Sequence, residues 1–369
     1  MIIRALLLLT TFACLELYAD APAAPDENVF SISSSVLPNN DDPFLYFFIT
    51  DPNAVKLFAM LEHTLPVKLS QPDLGSILVA QDTETSKQLP LPKSPAPVQP
   101  KQSDTDVEPN KPIDRTSALA THALCVDLLV TYVDDIGLVD YKMLRRKRLE
   151  LIGVLNEYSN VKTEIYNKWS HNDQLAFWIN TYNLCMIKAV VDNYPIVASR
   201  FKVIFYPANS IMQIDGVWDK ILFNIMGENY SLTEIEQKIL RSQFDDPRVS
   251  LAISYASMGS PPLRREPYTG AKLDQQFDDQ ARRFLLTDKG FKVDRDEPAL
   301  YLSPVFDWYS QQFQAKYPAG KQFSDKSQGQ ASILTYISKH VSQKDTEWLA
   351  RKIYPVKWIR FDWALNEQH

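Results

Sequence analysis

The chain has 369 residues, of which 45% are hydrophobic, and this is enough to build a core of ordinary domain size. The formal net charge of −6 gives no general attraction for a polyanion, and the longest basic run is RRKR at 145–148. These values exclude a wholly disordered chain and argue against a nucleic-acid partner. We interpret the basic run as the solvated face of a helix.

The first nineteen residues have the layout of a secretory signal peptide. They carry one basic residue, an apolar run over Ala5–Ala13 and a small residue at Ala19. The apolar run is too short to span a bilayer. We therefore expect an exported protein, either secreted or held in the periplasm or cell envelope, with cleavage after Ala19 or Ala21.

Lipoprotein processing at Cys14 is the alternative for this leader. Thr11 argues against it, because that position is usually leucine in such sites.

Three segments precede the main domain. Residues 20–42 are polar and rich in Pro, Ser, Asn and Asp, which predicts disorder. Residues 43–82 predict a small strand and helix, too short to fold alone, which could pack on the domain or cover a pocket as a lid. Seven prolines between Pro90 and Pro112 predict an extended, solvated linker over 83–115. The domain itself is expected at 116–369.

The apolar pattern from residue 116 onward predicts more helices than strands. We expect helices over 118–133, 148–159, 170–195 and 229–243, the last with a capping box of Ser231 and Glu234, and a strand over 355–366. The predicted fold class is α+β: a helix-rich single domain with a central buried helix packed on a small antiparallel sheet.

The central helix over 170–195 is apolar on nearly every side and begins with a possible capping box, Ser170 and Asp173. Within it, Asn180 and Asn183 lie one turn apart on one face. A buried amide without partners costs about 1–3 kcal/mol, so both asparagines need fixed partners. They could bond to the backbone of a neighbouring strand or loop, or they could line a pocket and orient a catalytic group or a substrate.

The segment DDPRVSLAISYASMGSPPL at 245–263 alternates as a strand would. Bulky residues would face one side, namely Val249, Leu251, Ile253 and Tyr255, and small residues the other, namely Ser250, Ala252, Ser254 and Ala256. A surface of small residues lets another element approach closely. We expect the central helix there.

After this predicted strand the chain turns through Ser257 and Gly259 to Ser260. A serine becomes a nucleophile only with a base in reach and donors for the oxyanion. No histidine lies in the segment, and His122 and His171 are the candidate bases. Taken alone, Ser260 is more typical of a turn or a helix N-cap.

Metal and cofactor signatures are absent from the sequence. The five histidines are scattered without HExxH or CxxC spacing, and the ten glycines form no GxGxxG, Walker or GxSxG motif. We therefore predict no metal and no cofactor. After export, Cys125 and Cys185 could form a disulfide or stay as buried thiols.

Several motifs in a fixed order resemble the domain-of-unknown-function 547 (DUF547) family over about residues 118–366. The stretches that carry the resemblance are THALCVDLLVTYVDDIGLVDY, LAFWINTYN, SLTEIEQKILR, DPRVSLAISYASMGSPPL, YTGAKLDQQFDDQARRFL, SPVFDWYSQQF and FDWALN. The family is in turn distantly similar to papain- and transglutaminase-like thiol enzymes, which implies a helix packed against a sheet.

The resemblance also implies a site. Typical members read S-x-G-C-P with cysteine in place of Ser260, and carry histidine in place of Ser250. In typical members these two positions would form a thiolate–imidazole pair. With serine at both, this chain lacks the nucleophile and the base together. The family's W-x-N-x-x-N stretch is retained, as Trp178, Asn180 and Asn183, and Pro261 is retained as well.

The resulting hypothesis is an exported domain with impaired thiol chemistry that acts as a binding or scaffold module for an unknown protein or peptide ligand. The candidate binding residues are Asn180, Asn183, Trp178, Ser257 and Gly259. The candidate catalytic positions, where serine replaces the expected histidine and cysteine, are Ser250 and Ser260. The alternative is an active hydrolase or acyltransferase that uses Ser260 with His122 or His171. A purely structural envelope protein is a third hypothesis.

Overall fold

A computed structural model describes residues 117–351 and 353–368, which belong to the compact unit Asp106–His369. The predicted segments before residue 117, including the leader, the 43–82 segment and the linker, lie outside the described residues. The α+β class is confirmed, with many helices beside a two-stranded and a three-stranded sheet.

The first half of the described region is helical. Its helices are α1 (Ala118–Tyr132), α2 (Tyr141–Arg146), α3 (Arg148–Asn160), α4 (Thr163–Tyr166) and α5 (His171–Asp192). The predicted helices over 118–133, 148–159 and 170–195 are therefore confirmed. Short 3₁₀ turns follow at Lys202–Ile204 and Ile211–Gln213.

The second half mixes short strands with helices. The hairpin of β1 (Phe223–Ile225) and β2 (Glu228–Tyr230) leads to a π-helix (Glu234–Phe244), followed by α6 (Val249–Ala252), a 3₁₀ turn (Gly270–Lys272) and α7 (Leu273–Leu285). Then come β3 (Phe291–Asp294), β4 (Ala299–Leu302), α8 (Pro304–Trp308), α9 (Ser310–Lys316), a 3₁₀ turn (Lys321–Phe323), α10 (Gln328–Ile337), α11 (Gln343–Leu349) and β5 (Val356–Trp358).

The larger sheet has the order β3-β4-β5. Strands β3 and β4 pair antiparallel, with Phe291 opposite Leu302, while β4 and β5 pair parallel, with Leu300 opposite Val356. This sheet is thus mixed rather than antiparallel. The predicted strand over 355–366 is regular only over β5, and residues after it pair through isolated bridges such as that of Ser257 with Leu365.

Helix α5 is the centre of the core, as its sequence predicts. Ser170 caps it, because its Oγ accepts a bond from the Asp173 amide at 3.1 Å. Its middle is buried on all sides since nearly every residue there is apolar. Helix α5 packs mainly on α2, α3, the π-helix and the 3₁₀ turn at Gly270–Lys272, and it meets the antiparallel β1–β2 hairpin through the rings of Trp178 and Tyr230.

The π-helix begins at the predicted capping box. The Glu234 amide donates to Ser231 Oγ at 3.1 Å, and the Ser231 amide donates to the Glu234 carboxylate at 3.0 Å. The helix ends at Asp245, whose φ of 48° is left-handed.

Candidate functional site

Asn183 fixes the segment that follows α6. Its Nδ2 donates to the Ala252 carbonyl and its Oδ1 accepts from the Ser254 amide, each at 2.9 Å. Asn183 is buried, so these bonds form away from water and are costly to lose. The Asn183 side chain therefore supplies the backbone hydrogen bonds that a neighbouring strand would otherwise provide to residues 252–254.

Asn180 fixes a second point of the same long loop. Its Nδ2 donates to the Tyr268 carbonyl and its Oδ1 accepts from the Tyr268 amide, each at 2.8 Å. Two asparagines one turn apart on α5 thus hold backbone at two places 14 residues apart. Two hypotheses were given for these asparagines. The hypothesis that they bond to the backbone of a neighbouring segment accounts for the paired hydrogen bonds that both side chains form.

The two asparagines also line a small cavity. Its other lining residues are Cys125, Leu129, Leu184, Leu263, Arg264, Glu266 and Tyr268. The cavity volume is about 10 Å³, which is about the minimum that admits one water molecule. In this structure the cavity is too small for a peptide side chain.

The turn after residue 256 holds Ser257 and Ser260 together. The Ser260 amide donates to the Ser257 carbonyl at 3.1 Å, and the two hydroxyl oxygens share a hydrogen bond of 2.8 Å. Ser260 Oγ also accepts from the Tyr255 amide at 3.0 Å. Ser260 is buried, at 7% exposure, so its hydroxyl serves as an internal cap of the turn.

Gly259 lets the C-terminal segment approach this turn. Its amide donates to the Asp362 carbonyl at 2.8 Å, and a Cβ at position 259 would lie 2.7 Å from the Asp362 nitrogen. The Met258 amide likewise donates to the Ala364 carbonyl at 2.8 Å. Hydrogen bonds therefore hold the turn both within itself and to the C-terminal segment.

The predicted strand over 249–256 is wrong in its first half. Residues Val249–Ala252 form α6, a single helical turn, and the chain becomes extended only from Ile253. All four residues of α6 are buried in a helical turn, so their alternation of bulky and small side chains does not correspond to the two faces of a strand. Ser250 Oγ donates to the Pro247 carbonyl at 2.7 Å, and no hydrogen bond joins Ser250 to Ser260 in the described residues.

His122 is buried in the core and forms no hydrogen bond with Ser260. Its Nδ1 shares a hydrogen bond of 2.7 Å with Tyr158 Oη, and Asn180 Nδ2 lies 3.4 Å from the same nitrogen. Burial lowers the pKa of His122 to about 4, although the charge of Asp173 opposes this shift. The imidazole is therefore neutral at pH 7.

His171, the other candidate base, is exposed and packs on the ring of Phe244, with centroids 5.1 Å apart. It stands twelve residues before Asn183 on α5, which corresponds to about 18 Å along the helix axis. Neither His171 nor any other histidine of the described residues forms a hydrogen bond with Ser260.

Trp178 belongs to an aromatic cluster instead of the cavity wall. Its Nε1 donates to Tyr166 Oη at 2.9 Å, and its ring meets Tyr230 edge-on with centroids 5.3 Å apart. Trp178 is not among the residues that line the cavity. The structure therefore separates Trp178 from Asn180 and Asn183, with which the sequence groups it.

Both cysteines of the described region are buried free thiols. Burial raises the pKa of Cys125 to about 12, although a hydrogen bond with Tyr158 opposes the shift. Burial raises the pKa of Cys185 as well. Since the thiolate is the reactive form, neither thiol is activated.

A buried carboxylate beneath the turn was missed by sequence analysis. Glu236, on the π-helix, accepts hydrogen bonds from Tyr182 Oη at 3.2 Å and from Tyr255 Oη and Tyr309 Oη at 3.0 Å. Burial raises the pKa of Glu236, while the charge of Arg241 and the three tyrosine bonds oppose this. A signal was present, because Glu236 falls between Ile235, Ile239 and Leu240 on the inward face of its helix.

Tyr255 connects this carboxylate to the serine turn. Its hydroxyl donates to Glu236 and its backbone amide donates to Ser260 Oγ. Its ring also meets Trp308 edge-on, with centroids 5.5 Å apart. Tyr255 thus joins the turn to a cluster of aromatic rings.

The described residues contain no group of three or more His, Cys, Asp or Glu side chains placed to hold a metal ion. Among the same residues, no helix combines the length and apolarity needed to cross a membrane.

Residues 166–285 match a family model described as "Protein of unknown function, DUF547". This part of the chain belongs to the DUF547 family. The matched region contains both asparagines of α5, the π-helix, α6 and the turn that ends at Ser260. The match therefore covers every residue proposed for the site except the candidate base His122, while the wider DUF547 limits of 118–366 stay a prediction.

No curated protein and no solved structure matches the chain significantly. The similarity of this DUF547 domain to papain- and transglutaminase-like folds consequently also stays a prediction.

Proposed function

We propose that this DUF547 domain is an exported, catalytically impaired relative of thiol hydrolases that acts as a binding or scaffold module. One observation carries the proposal. Ser260, at the position of the expected nucleophile, has its hydroxyl engaged by the Tyr255 amide and by Ser257 Oγ. A hydroxyl held in this way caps a turn, and within the described residues it forms no hydrogen bond with a histidine.

The surroundings of Ser260 support the same conclusion. Serine attack needs a base that removes the hydroxyl proton and donors that stabilise the oxyanion. The neighbour of Ser260 Oγ is another serine hydroxyl, which is not a base at neutral pH. His122, the buried candidate base, is instead bonded to Tyr158.

The frame around the turn supports a binding role. Asn180 and Asn183 hold the loop at Tyr268 and at Ala252–Ser254, and the C-terminal segment holds Met258 and Gly259. A rigid loop presents a defined surface at little entropic cost, which favours recognition of a partner. The proposed partner is a protein or peptide.

Labelling with a fluorophosphonate probe tests whether Ser260 is reactive. We expect no label on the native protein and the same result for Ser260→Ala. A label that maps to Ser260 and disappears in Ser260→Ala would contradict the proposal and support the serine hydrolase alternative.

Restoration of the expected pair gives a second test. Ser260→Cys is compared with Ser250→His/Ser260→Cys, and the rate of alkylation by iodoacetamide is measured against pH. We expect the histidine to raise the rate about tenfold near pH 6, because an imidazolium stabilises the thiolate. Equal rates in two variants with native urea unfolding midpoints would show that the two positions do not form a pair.

Export is tested separately by expression in a secretion-competent host. We expect the mature N-terminus to follow Ala19 or Ala21, and an uncleaved intracellular chain would contradict the proposal. Incorporation of labelled palmitate that Cys14→Ala abolishes would identify a lipoprotein instead.

A further inference from the structure

The loop after α5 exposes several large apolar side chains. The exposed fractions are 83% for Val197, 64% for Phe201 and 71% for Ile204, and Val203 and Phe205 are exposed too. Single exposed apolar residues are common on soluble proteins, but five within nine positions form a concentrated patch. Such a patch indicates a surface that is covered in the functional state.

Hydrogen bonds hold this loop in place, so the exposure of its apolar side chains is a property of the folded structure. The Ser199 amide donates to Gln213 Oε1 at 3.0 Å, and Lys202 Nζ donates to the Gln213 carbonyl at 3.4 Å. The loop then ends at Tyr206, which is buried and meets the ring of Trp363 edge-on. The loop is therefore fixed on both sides of its apolar residues.

A run of cations lies on α2, α3 and their junction. It comprises Lys142, Arg145, Arg146, Lys147 and Arg148, and Arg200 of the apolar loop adds a sixth. Within residues 117–351 and 353–368, no carboxylate forms an ion pair with any of these six. Arg248 and Arg264, by contrast, each pair with two carboxylates. The six cations are therefore not neutralised by that part of the chain.

The cation run and the apolar loop start from neighbouring points. The ring of Tyr141 stacks on that of Tyr194 with centroids 6.5 Å apart, and α2 packs on α5. Lys142 directly follows Tyr141, and Val197 comes three residues after Tyr194. Three residues of extended chain span about 10 Å, so the cation run and the apolar loop begin near one another.

We propose that this region docks on an anionic lipid surface. The apolar side chains at 197–205 would enter the boundary between headgroups and acyl chains, and the cations would lie against lipid phosphates. Charge favours this partner, because six cations without an ion pair in the described residues outnumber the two carboxylates at the Tyr141–Tyr194 contact, Asp140 and Glu367. This surface does not include the serine turn, so the inference is independent of the proposed function.

Sedimentation of the full chain with vesicles tests the proposal. One set of vesicles is pure phosphatidylcholine, and the other is an equal mixture with phosphatidylglycerol. We expect binding to the mixed vesicles that weakens as ionic strength rises. Phe201→Ser/Ile204→Ser and Arg146→Glu/Lys147→Glu should each weaken binding at least tenfold, since each exposed cation and apolar side chain contributes to the contact.

Two matched variants provide the controls. Leu286→Ser/Ile353→Ser removes two apolar side chains elsewhere that are more exposed than Phe201 and Ile204, and Lys321→Glu/Lys344→Glu reverses two exposed cations elsewhere. Both should bind as the native chain does. Residues 1–19 are common to all the proteins, so lipid binding through that segment would affect every value equally.

The proposal is overturned if the native chain does not sediment with mixed vesicles, or if it binds both kinds of vesicle equally. Equal binding by all four variants would overturn it too. Far-UV circular dichroism and urea unfolding establish that each variant is folded before its binding is compared.

Discussion

Asn180 and Tyr268 form a closed pair of hydrogen bonds, in which the side-chain amide of Asn180 matches both backbone groups of Tyr268 at 2.8 Å. The residues are 88 positions apart, so the pair joins α5 to a loop that has no regular hydrogen bonding of its own. Asn183 repeats the arrangement one turn later. Helix α5 therefore acts as a substitute for a neighbouring strand.

Replacement of either asparagine should destabilise the domain. Asn180→Ala and Asn183→Ala each leave a buried carbonyl and a buried amide without a partner, and we expect a loss of about 2–4 kcal/mol in unfolding free energy. Urea denaturation measures the loss. The exposed Asn229→Ala is the control and should change stability by less than about 0.5 kcal/mol. A loss of similar size in Asn229→Ala would contradict the assignment.

Ser260→Ala should destabilise the turn even though we assign the serine no catalytic role. The change leaves the buried Tyr255 amide unpaired, which costs about 1–3 kcal/mol. Ser260→Thr keeps the hydroxyl and should recover part of this free energy. An unfolding midpoint of Ser260→Ala equal to that of the native protein would show that the hydroxyl is not a structural cap.

Gly259→Ala and Gly153→Ala should have opposite effects on stability. The new Cβ at 259 would lie 2.7 Å from a backbone nitrogen, so we expect a loss of about 1–3 kcal/mol. No atom lies within 4 Å of the corresponding position at 153 in the middle of α3, so alanine there should add about 0.5–1 kcal/mol. Thermal unfolding of the two variants provides the comparison.

Asp246 should make stability fall in acid. Burial alone would raise the pKa of Asp246, but the hydrogen bonds and charges of Arg248 and Lys316 outweigh burial and lower it. The stabilisation is therefore present above the ordinary Asp pKa of about 3.9 and is lost as the pH falls through the lower folded value. Asp246→Asn should cost about 2 kcal/mol at pH 7, and the gap from the native protein should close toward pH 2.

Glu236 should act in the opposite sense. Because burial raises its folded pKa, the folded state binds the proton more tightly than the unfolded chain does. Stability therefore falls as the pH rises from the ordinary Glu pKa of about 4.3 through the raised value. In urea denaturation, Glu236→Gln should gain stability relative to the native protein across this window. A constant difference between pH 4 and 8 would contradict the raised pKa.

The sequence predicts the helical frame well. The capping boxes at Ser170 and Ser231 mark true helix starts, and the apolar run of α5 indicates a helix buried on all sides. These signals are local, since each depends on residues three or four positions apart, and local hydrogen bonding is the property that sequence spacing describes best.

The region around Ser250 shows why alternation alone is ambiguous. Over eight residues, bulky and small side chains alternate, yet the first four form a helical turn that is buried on every side. When all faces are buried, polarity no longer distinguishes a helix from a strand. The side chain that fixes the following extended segment, Asn183, lies 69 positions before Ala252.

The carboxylate cluster could be predicted only in part. The position of Glu236 on an inward helix face indicates a buried charge, but its partners Tyr182, Tyr255 and Tyr309 are brought together by packing alone. Their separations along the chain have no periodic relation. The helical spacing therefore predicts that the buried carboxyl of Glu236 needs hydrogen-bond partners, but it does not identify those partners.

The contacts of Met258 and Gly259 with Asp362 and Ala364 impose an order on biosynthesis. During translation the turn emerges from the ribosome about a hundred residues before its partners, and until they arrive the amides of Met258 and Gly259 must bond to water. Nascent chains that stop before residue 362 should therefore be more sensitive to protease at this turn than chains that include residue 365.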